Sequence, residues 1–364
     1  MRKYGDILIA HHEREARNLL DKIENQKPVF ICTIGNTETA KIPEISAAGK
    51  FPEITDYTPA ADVELLFYGE CRCIDGVPVT PDGIPTPALI TRSALSLADI
   101  PFFAVSGGLR VKPYAPFIDL EGEPGEDIRT GKAVKNVEEV IRRAEVVGRN
   151  FSKIADYLVV GESIPGGTTT ALGVLLAMGV DAKLKVSSSM PINPHNLKIR
   201  VAEEGLKAAG IGFGDLKNDP INAVASVGDP MIAAFSGLVM GAASRVPVLM
   251  AGGTQMTAIL SVLKALKTEI LKNVAIGTTR WIVEDKSSDI NGIVSQIGDV
   301  PILAADLNFS NSEIEGLRAY EKGVVKEGVG AGGISIAAFL KTRDKVSSEI
   351  LLKEIEENYK KLMR

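Results

Sequence analysis

Two glycine-rich stretches carry the residue types from which a chemical site is built. The first is Gly161-Glu162-Ser163-Ile164-Pro165-Gly166-Gly167-Thr168-Thr169-Thr170. Gly166 and Gly167 allow close approach of a ligand to the backbone, and Thr168 or Thr169 could cap a following helix and donate to phosphate oxygens. The free N–H groups and positive end of such a helix favour an anion. An ordinary strand-to-helix turn with a threonine cap has the same local pattern, so both readings stand at this point. No Lys follows the second glycine as in a P-loop, and the stretch is not G-x-G-x-x-G.

The second stretch is Glu327-Gly328-Val329-Gly330-Ala331-Gly332-Gly333. A carboxylate beside such a turn, in a partly apolar pocket, has a raised pKa and accepts a proton near neutral pH. A solvated glutamate at a helix end is the alternative. Lys198, early in a helix after His195, would give a phosphate turn the point charge it lacks; otherwise it is a surface lysine. His195 is a lone histidine with a structural reading.

The elements that must position these residues alternate. Residues 101–106, 155–160, 182–186, 222–227, 246–250, 274–277 and 302–305 read as strands. Residues 134–154 mark one apolar face at helical spacing, and helices are expected at 171–178, 196–209, 230–243, 255–266, 312–322, 334–340 and 347–362. Strand–helix alternation predicts an α/β fold: a three-layer α/β/α, Rossmann-like parallel sheet. Ligands of such sheets bind beyond the carboxyl ends of the strands, so the turns at Gly161, Gly228, Gly252-Gly253 and Gly277 should gather along one rim. Residues 1–99 are less regular. A helix is expected at 6–25 and strands at 28–33 and 63–68, among Pro43, Pro52, Pro59, Pro78, Pro81, Pro85 and Pro87. The expected division is a large domain over 100–340 and a smaller one from 1–99 and 341–364.

Composition limits the function. The 364 residues include 41 basic and 46 acidic side chains, a net charge of −5, which argues against a nucleic-acid binder working by bulk charge. The 35 glycines suit tight turns and close helix–sheet packing. The three cysteines, Cys32, Cys71 and Cys73, point to a reducing compartment without a disulfide framework. Cys71-Arg72-Cys73 with His11 or His12 would be half a metal site, but no second ligand pair exists, so neither metal nor cofactor is expected. The amino-terminal apolar run is too short for a signal peptide, and the longest apolar stretch, 231–250, is broken by Ser236, Ser244, Arg245 and Pro247. A cytoplasmic protein without membrane partners is the expectation.

Taken together, the motifs resemble the nicotinate-nucleotide:dimethylbenzimidazole phosphoribosyltransferase family, which makes the lower ligand of cobalamin. The 161–169 turn is similar to the family's phosphate turn, with Gly167 where Asn is usual. Lys198-Ile199-Arg200-Val201-Ala202-Glu203 resembles its lysine-bearing helix, residues 227–248 its central helix and strand, residues 252–258 the turn beyond, and Lys326-Glu327-Gly328-Val329-Gly330-Ala331 its carboxy-terminal Gly-Glu-Gly-Thr-Gly-Ala. The match runs over about 101–340. The amino-terminal third lacks the family's Asp-His-Gly-Val and Pro-Pro-Gly-Ser-Leu-Gly motifs, which marks a divergent branch, for which an archaeal one is the expectation. The resemblance implies phosphoribosyl transfer from nicotinate mononucleotide to a benzimidazole, with Glu327 as catalytic base. It implies a nucleotide site of Glu162, Gly166, Gly167, Thr168, Thr169, Lys198, Gly252 and Gly253, and a homodimer. A transferase or hydrolase acting on another phosphorylated nucleoside, and a non-catalytic binder of nucleotides or cobamide precursors, are the alternatives.

Overall fold

In the computed structural model, which describes residues 1–49, 51–80, 82–343 and 345–363, nine strands form one sheet. They are β1 (Arg2–Tyr4), β2 (Ile7–His11), β3 (Pro28–Gly35), β4 (Phe102–Gly108), β5 (Ile118–Asp119), β6 (Tyr157–Ser163), β7 (Val248–Ala251), β8 (Val274–Thr279) and β9 (Ile302–Ala305). Their order is β1-β2-β9-β8-β7-β6-β3-β4-β5. From β9 through β5 every pairing is parallel, and β1 and β2 extend the sheet antiparallel. The sheet is the α/β architecture expected.

Strands β3 and β6 show why the middle of this sheet is parallel. All eight residues of β3 and all seven of β6 are buried, as near-continuous apolar runs are when helices cover both faces. The pleat divides them between two cores. Leu158 and Val160 point into one with the helices Val137–Phe151, Gly167–Ala177, Pro230–Ala242 and Gln255–Lys267. Tyr157 and Val159 point into the other with the helices Glu13–Ile23, Ala88–Ala98, Ala331–Thr342 and Ser348–Leu362. The result is three layers.

The amino-terminal third is woven into this sheet rather than set apart from it. Its β3 lies between β6 and β4, held on both sides by parallel pairing. The helices of the two chain ends meet on one face of the sheet, where Asn358 donates to Ser93 Oγ across 2.9 Å.

Several expected strands are helices or turns. Residues 63–68 belong to the helix Thr58–Tyr68, opened by Pro59 and buried nearly all round, so it has no polar face to reveal a helical period. Residues 222–227 lie in the helix Pro220–Val227, whose first turn is capped by Asp219 accepting from Asn222 N, so Gly228 ends a helix and not a strand. Residues 182–186 form a turn and an extended connection, not a strand. The expected helix 6–25 is strand β2 followed by the helix Glu13–Ile23, with His12 at φ 48° between them. Residues 312–322 hold only the short helix Glu315–Arg318 and a 3₁₀ turn, Ala319–Lys322. Of the prolines expected to break the amino-terminal third, Pro81 lies outside the described residues.

Candidate active site

The sheet order reverses between β3 and β6: from β6 it runs on through β7, β8 and β9, and from β3 the other way through β4 and β5. Beyond the carboxyl end of β6, beside this reversal, lies a cleft of about 920 Å³ of empty space, open to solvent on one side. Such a switch point is where open parallel sheets hold their ligands.

The phosphate-type turn forms one wall. Gly166 stands at φ +80°, and a Cβ there would come within 3.0 Å of Ala40 Cα, so the turn needs a glycine. The helix starts at Gly167 without a side-chain cap. Gly166, Gly167 and Thr168 line the cleft. Thr169 does not. It is fully buried, and its hydroxyl has no partner among the described residues. Thr170 Oγ1 instead bonds Asp229 Oδ2 at 2.5 Å, while Asp229 Oδ1 accepts from Ile232 N and caps the helix Pro230–Ala242. The expected threonine cap is therefore absent: Gly166 takes the cap position, and the helix turns the Thr169 side chain inward.

The second glycine-rich stretch docks against the first. Val329 N donates to Glu162 O at 2.9 Å, and a Cβ on Gly161 would stand 3.0 Å from Gly330 Cα. This backbone-to-backbone contact brings Glu162 and Glu327 into one cleft. Glu327 accepts from Gly328 N at 3.1 Å and Gly332 N at 3.2 Å, with Thr278 Oγ1 at 3.4 Å. Burial raises its carboxyl to about 7 against these donors. Glu162 accepts from Gln255 Nε2 at 2.6 Å and Ile164 N at 3.1 Å. Burial and then the neighbouring Glu327 push its carboxyl well above the usual range. Glu327 therefore titrates near neutral pH.

Lys198 is behind the wall rather than in the cleft. Its ammonium is fully buried and donates to the Ser187 carbonyl at 2.5 Å. Burial, reinforced by Lys326, lowers it to about 7. It thus supports the segment Ser187-Ser188-Ser189, which lines the cleft, and Thr254 Oγ1 accepts from Ser187 N at 2.9 Å on the other side. Gly253 lines the cleft; Gly252 is engaged in the sheet, its N–H bonded to Gly277 O at 3.0 Å. His195 bonds Ser287 O at 2.8 Å, a structural contact.

Sequence reasoning missed Asp62, the serines 187–189 and the anchoring role of Gln255. The apolar wall, with Ile45, Ile84, Pro85 and Pro87, also comes from the amino-terminal third. Asp62 had one legible signal, an acid amid an apolar run, which a strand reading of the residues after it obscured. Among the described lining residues there is no Lys, Arg or His, so an anion here is met by backbone N–H groups and hydroxyls. No cluster of three or more His, Cys, Asp or Glu among the described residues could hold a metal ion. No helix among them is long and apolar enough to cross a membrane.

The chain is 49% identical to a UPF0284 protein of Methanothermobacter thermautotrophicus, over 89% of this chain and 90% of that one. It is 47% identical to one from Sulfurisphaera tokodaii, over 93% and 95%. The chain belongs to the UPF0284 family. Residues 122–282 match the family model described as Phosphoribosyltransferase. Among solved structures, CobT from Thermus thermophilus is similar with a TM-score of 0.58 at 18% identity, over 91% of this chain and 90% of that one. The nicotinate-nucleotide-dimethylbenzimidazole phosphoribosyltransferase of the same organism gives a TM-score of 0.55 at 15% identity, over 91% and 89%. At those identities the likeness is one of fold. The motif resemblance to a phosphoribosyltransferase family, in a divergent archaeal branch, is borne out, and the UPF0284 chain carries its phosphoribosyltransferase match on the segment that supplies the turn at 161–170.

Proposed function

We propose that this protein transfers the phosphoribosyl group of nicotinate mononucleotide to a benzimidazole-type base, giving an α-ribazole 5′-phosphate and nicotinate. The observation that carries the reading is the convergence of Glu327, at its midpoint near neutral pH, with Glu162 and the Gly166–Thr168 turn in one cleft. The fold likeness to a protein named for this reaction supports it.

The 5′-phosphate lies against the Gly166–Thr168 turn, at the start of the helix Gly167–Ala177 and beside the Thr168 hydroxyl, with Lys198 holding the Ser187 segment from behind. The acceptor base lies against the apolar wall. Glu327 takes the proton of one ring nitrogen while the other forms a bond to C1′ of the ribose. The bond from C1′ to the pyridine nitrogen breaks, and its electron pair returns to nicotinate, a leaving group that needs no proton because it departs from a pyridinium. Attack from the face opposite nicotinate inverts the configuration. Glu162, whose burial beside Glu327 favours the neutral form, limits the negative charge beside the substrate and orients it.

The test is incubation of the purified protein with nicotinate mononucleotide and dimethylbenzimidazole, following nicotinate and ribazole phosphate by mass. Base-dependent release of both products is expected. Nucleotide binding without product across a panel of bases would replace this reading by that of a binding protein, and hydrolysis independent of base would make the protein a nucleosidase.

A further inference from the structure

The helix Thr58–Tyr68 buries two acids that the reaction above does not use, and they differ in one respect. Glu64 is held by three backbone donors: its carboxylate accepts from Arg72 N, Cys73 N and Tyr114 N at 2.5, 2.9 and 2.8 Å, which holds its pKa low against its burial. It pins two loops and has no part in the cleft. Asp62, two residues earlier, is 3% exposed and lines the cleft. Its oxygens take one hydroxyl each, Thr86 Oγ1 at 2.8 Å and Ser163 Oγ at 2.7 Å. No backbone N–H and no cation among the described residues joins them. A carboxylate has about four lone-pair sites, so each oxygen of Asp62 keeps acceptor capacity. A buried acid left in that state is costly unless a ligand completes it.

The chemistry of the substrates decides what completes it. The phosphate and the nicotinate carboxylate are anions, and a carboxylate repels both. The neutral donors are the ribose hydroxyls and the acceptor base, and of these the base is the one suited to the apolar residues around Thr86 on this wall, Ile84, Pro85 and Pro87, which fit a flat ring rather than a sugar. We infer that Asp62 is a specificity-determining residue that selects an acceptor base carrying an amino or hydroxyl donor on its ring, over a base with only methyl groups there. Thr86 and Ser163 orient the carboxylate, and the base supplies the donor it lacks. This rests on the transferase reading for its substrate but not for its test, since base binding is measurable without turnover.

The experiment compares two benzimidazoles of nearly equal shape, one with an amino group where the other has a methyl group. Binding to the wild-type protein is measured by calorimetry in the presence of nicotinate mononucleotide, together with kcat/KM for each. The amino compound should bind and react about 10- to 100-fold better, the range of one hydrogen bond to a charged group. In Asp62→Leu, which keeps roughly the size and removes both acceptor oxygens, the ratio should fall to within about threefold of unity, with nucleotide affinity kept as the check on folding. A wild-type ratio near unity, or one favouring the methyl compound, overturns the inference without any variant. An undiminished ratio in the variant assigns the selection to another residue and also overturns it. Selective binding of the amino compound that Asp62→Leu abolishes, with no product from either base, would leave Asp62 standing and remove the transferase reading.

Discussion

The two glycine-rich segments deliver a glutamate to the same cleft by opposite means. Glu162 sits in strand β6, paired with Thr33 of β3, and its backbone would be in place with or without a ligand site. Glu327 lies in a loop with no strand before it, where Val325, Lys326 and Val329 all stand at positive φ, 67°, 66° and 54°. A left-handed residue other than glycine costs roughly 1–2 kcal/mol, and for valine the conformation is rarer still. The loop is tied at each point: Val325 N to Ser189 O at 3.0 Å, Thr279 Oγ1 to Lys326 O at 2.6 Å, the Lys326 ammonium to Asp285 at 3.0 Å, and Val329 N to Glu162 O. Backbone strain held by such ties is the mark of a position set by function rather than local preference. The difference extends to protons. Burial and the neighbouring Glu327 push the strand glutamate well above its usual range, and burial leaves the loop glutamate at about 7, able to take a proton and return it.

The largest test of this asymmetry is removal of the loop carboxylate. Glu327→Gln should lower turnover about 10²–10⁴-fold while nucleotide affinity, measured by calorimetry, stays within about threefold; loss of binding instead would make Glu327 a structural acid. The pH profile should separate the acids without mutation. A general base titrating near 7 makes log kcat/KM rise with unit slope below that pH and level off above it, about fiftyfold between pH 5 and pH 7. A flat profile over that range would mean that neither glutamate exchanges the proton in catalysis.

Gly166→Ala probes the phosphate side. A Cβ at φ +80°, 3.0 Å from Ala40, strains the turn and should weaken nucleotide binding about tenfold, with no shift of the pH midpoint. Unchanged affinity would move the phosphate elsewhere in the cleft. The smallest effect is expected from Glu162→Gln, which replaces an acid whose burial favours the neutral form by its neutral isostere and should cost less than about tenfold in kcat/KM. If it costs as much as Glu327→Gln, the two glutamates exchange roles.

Much of the scaffold was legible in the chain. The strands at 28–35, 157–163, 274–279 and 302–305 stand out as short apolar runs bounded by glycine, proline or a helix start, and Asp229-Pro230 announces its helix as a capping residue followed by proline. What failed was helix against strand where burial is complete. Thr58–Tyr68 and Pro220–Val227 present few polar residues to water, so no period of 3.6 shows through. The turn at 161–170 and the acid at 327 were found from residue type and spacing, but their partners were not. Thr169 is turned into the core and Lys198 sits behind Ser187, because one helical turn and one packing contact reassign a side chain without altering the local pattern.

By itself, then, the sequence determined the α/β class, the glycine turn and its family, and the candidate base. These are properties of short windows, set by side-chain volume, backbone freedom and periodicity. Only the tertiary structure decided that Glu162, Glu327 and Asp62 share one cleft and that burial raises all three carboxyls. A carboxyl's pKa follows from how deeply it is buried and how many donors reach it. For Asp62 those donors, Thr86 and Ser163, lie 24 and 101 residues away along the chain.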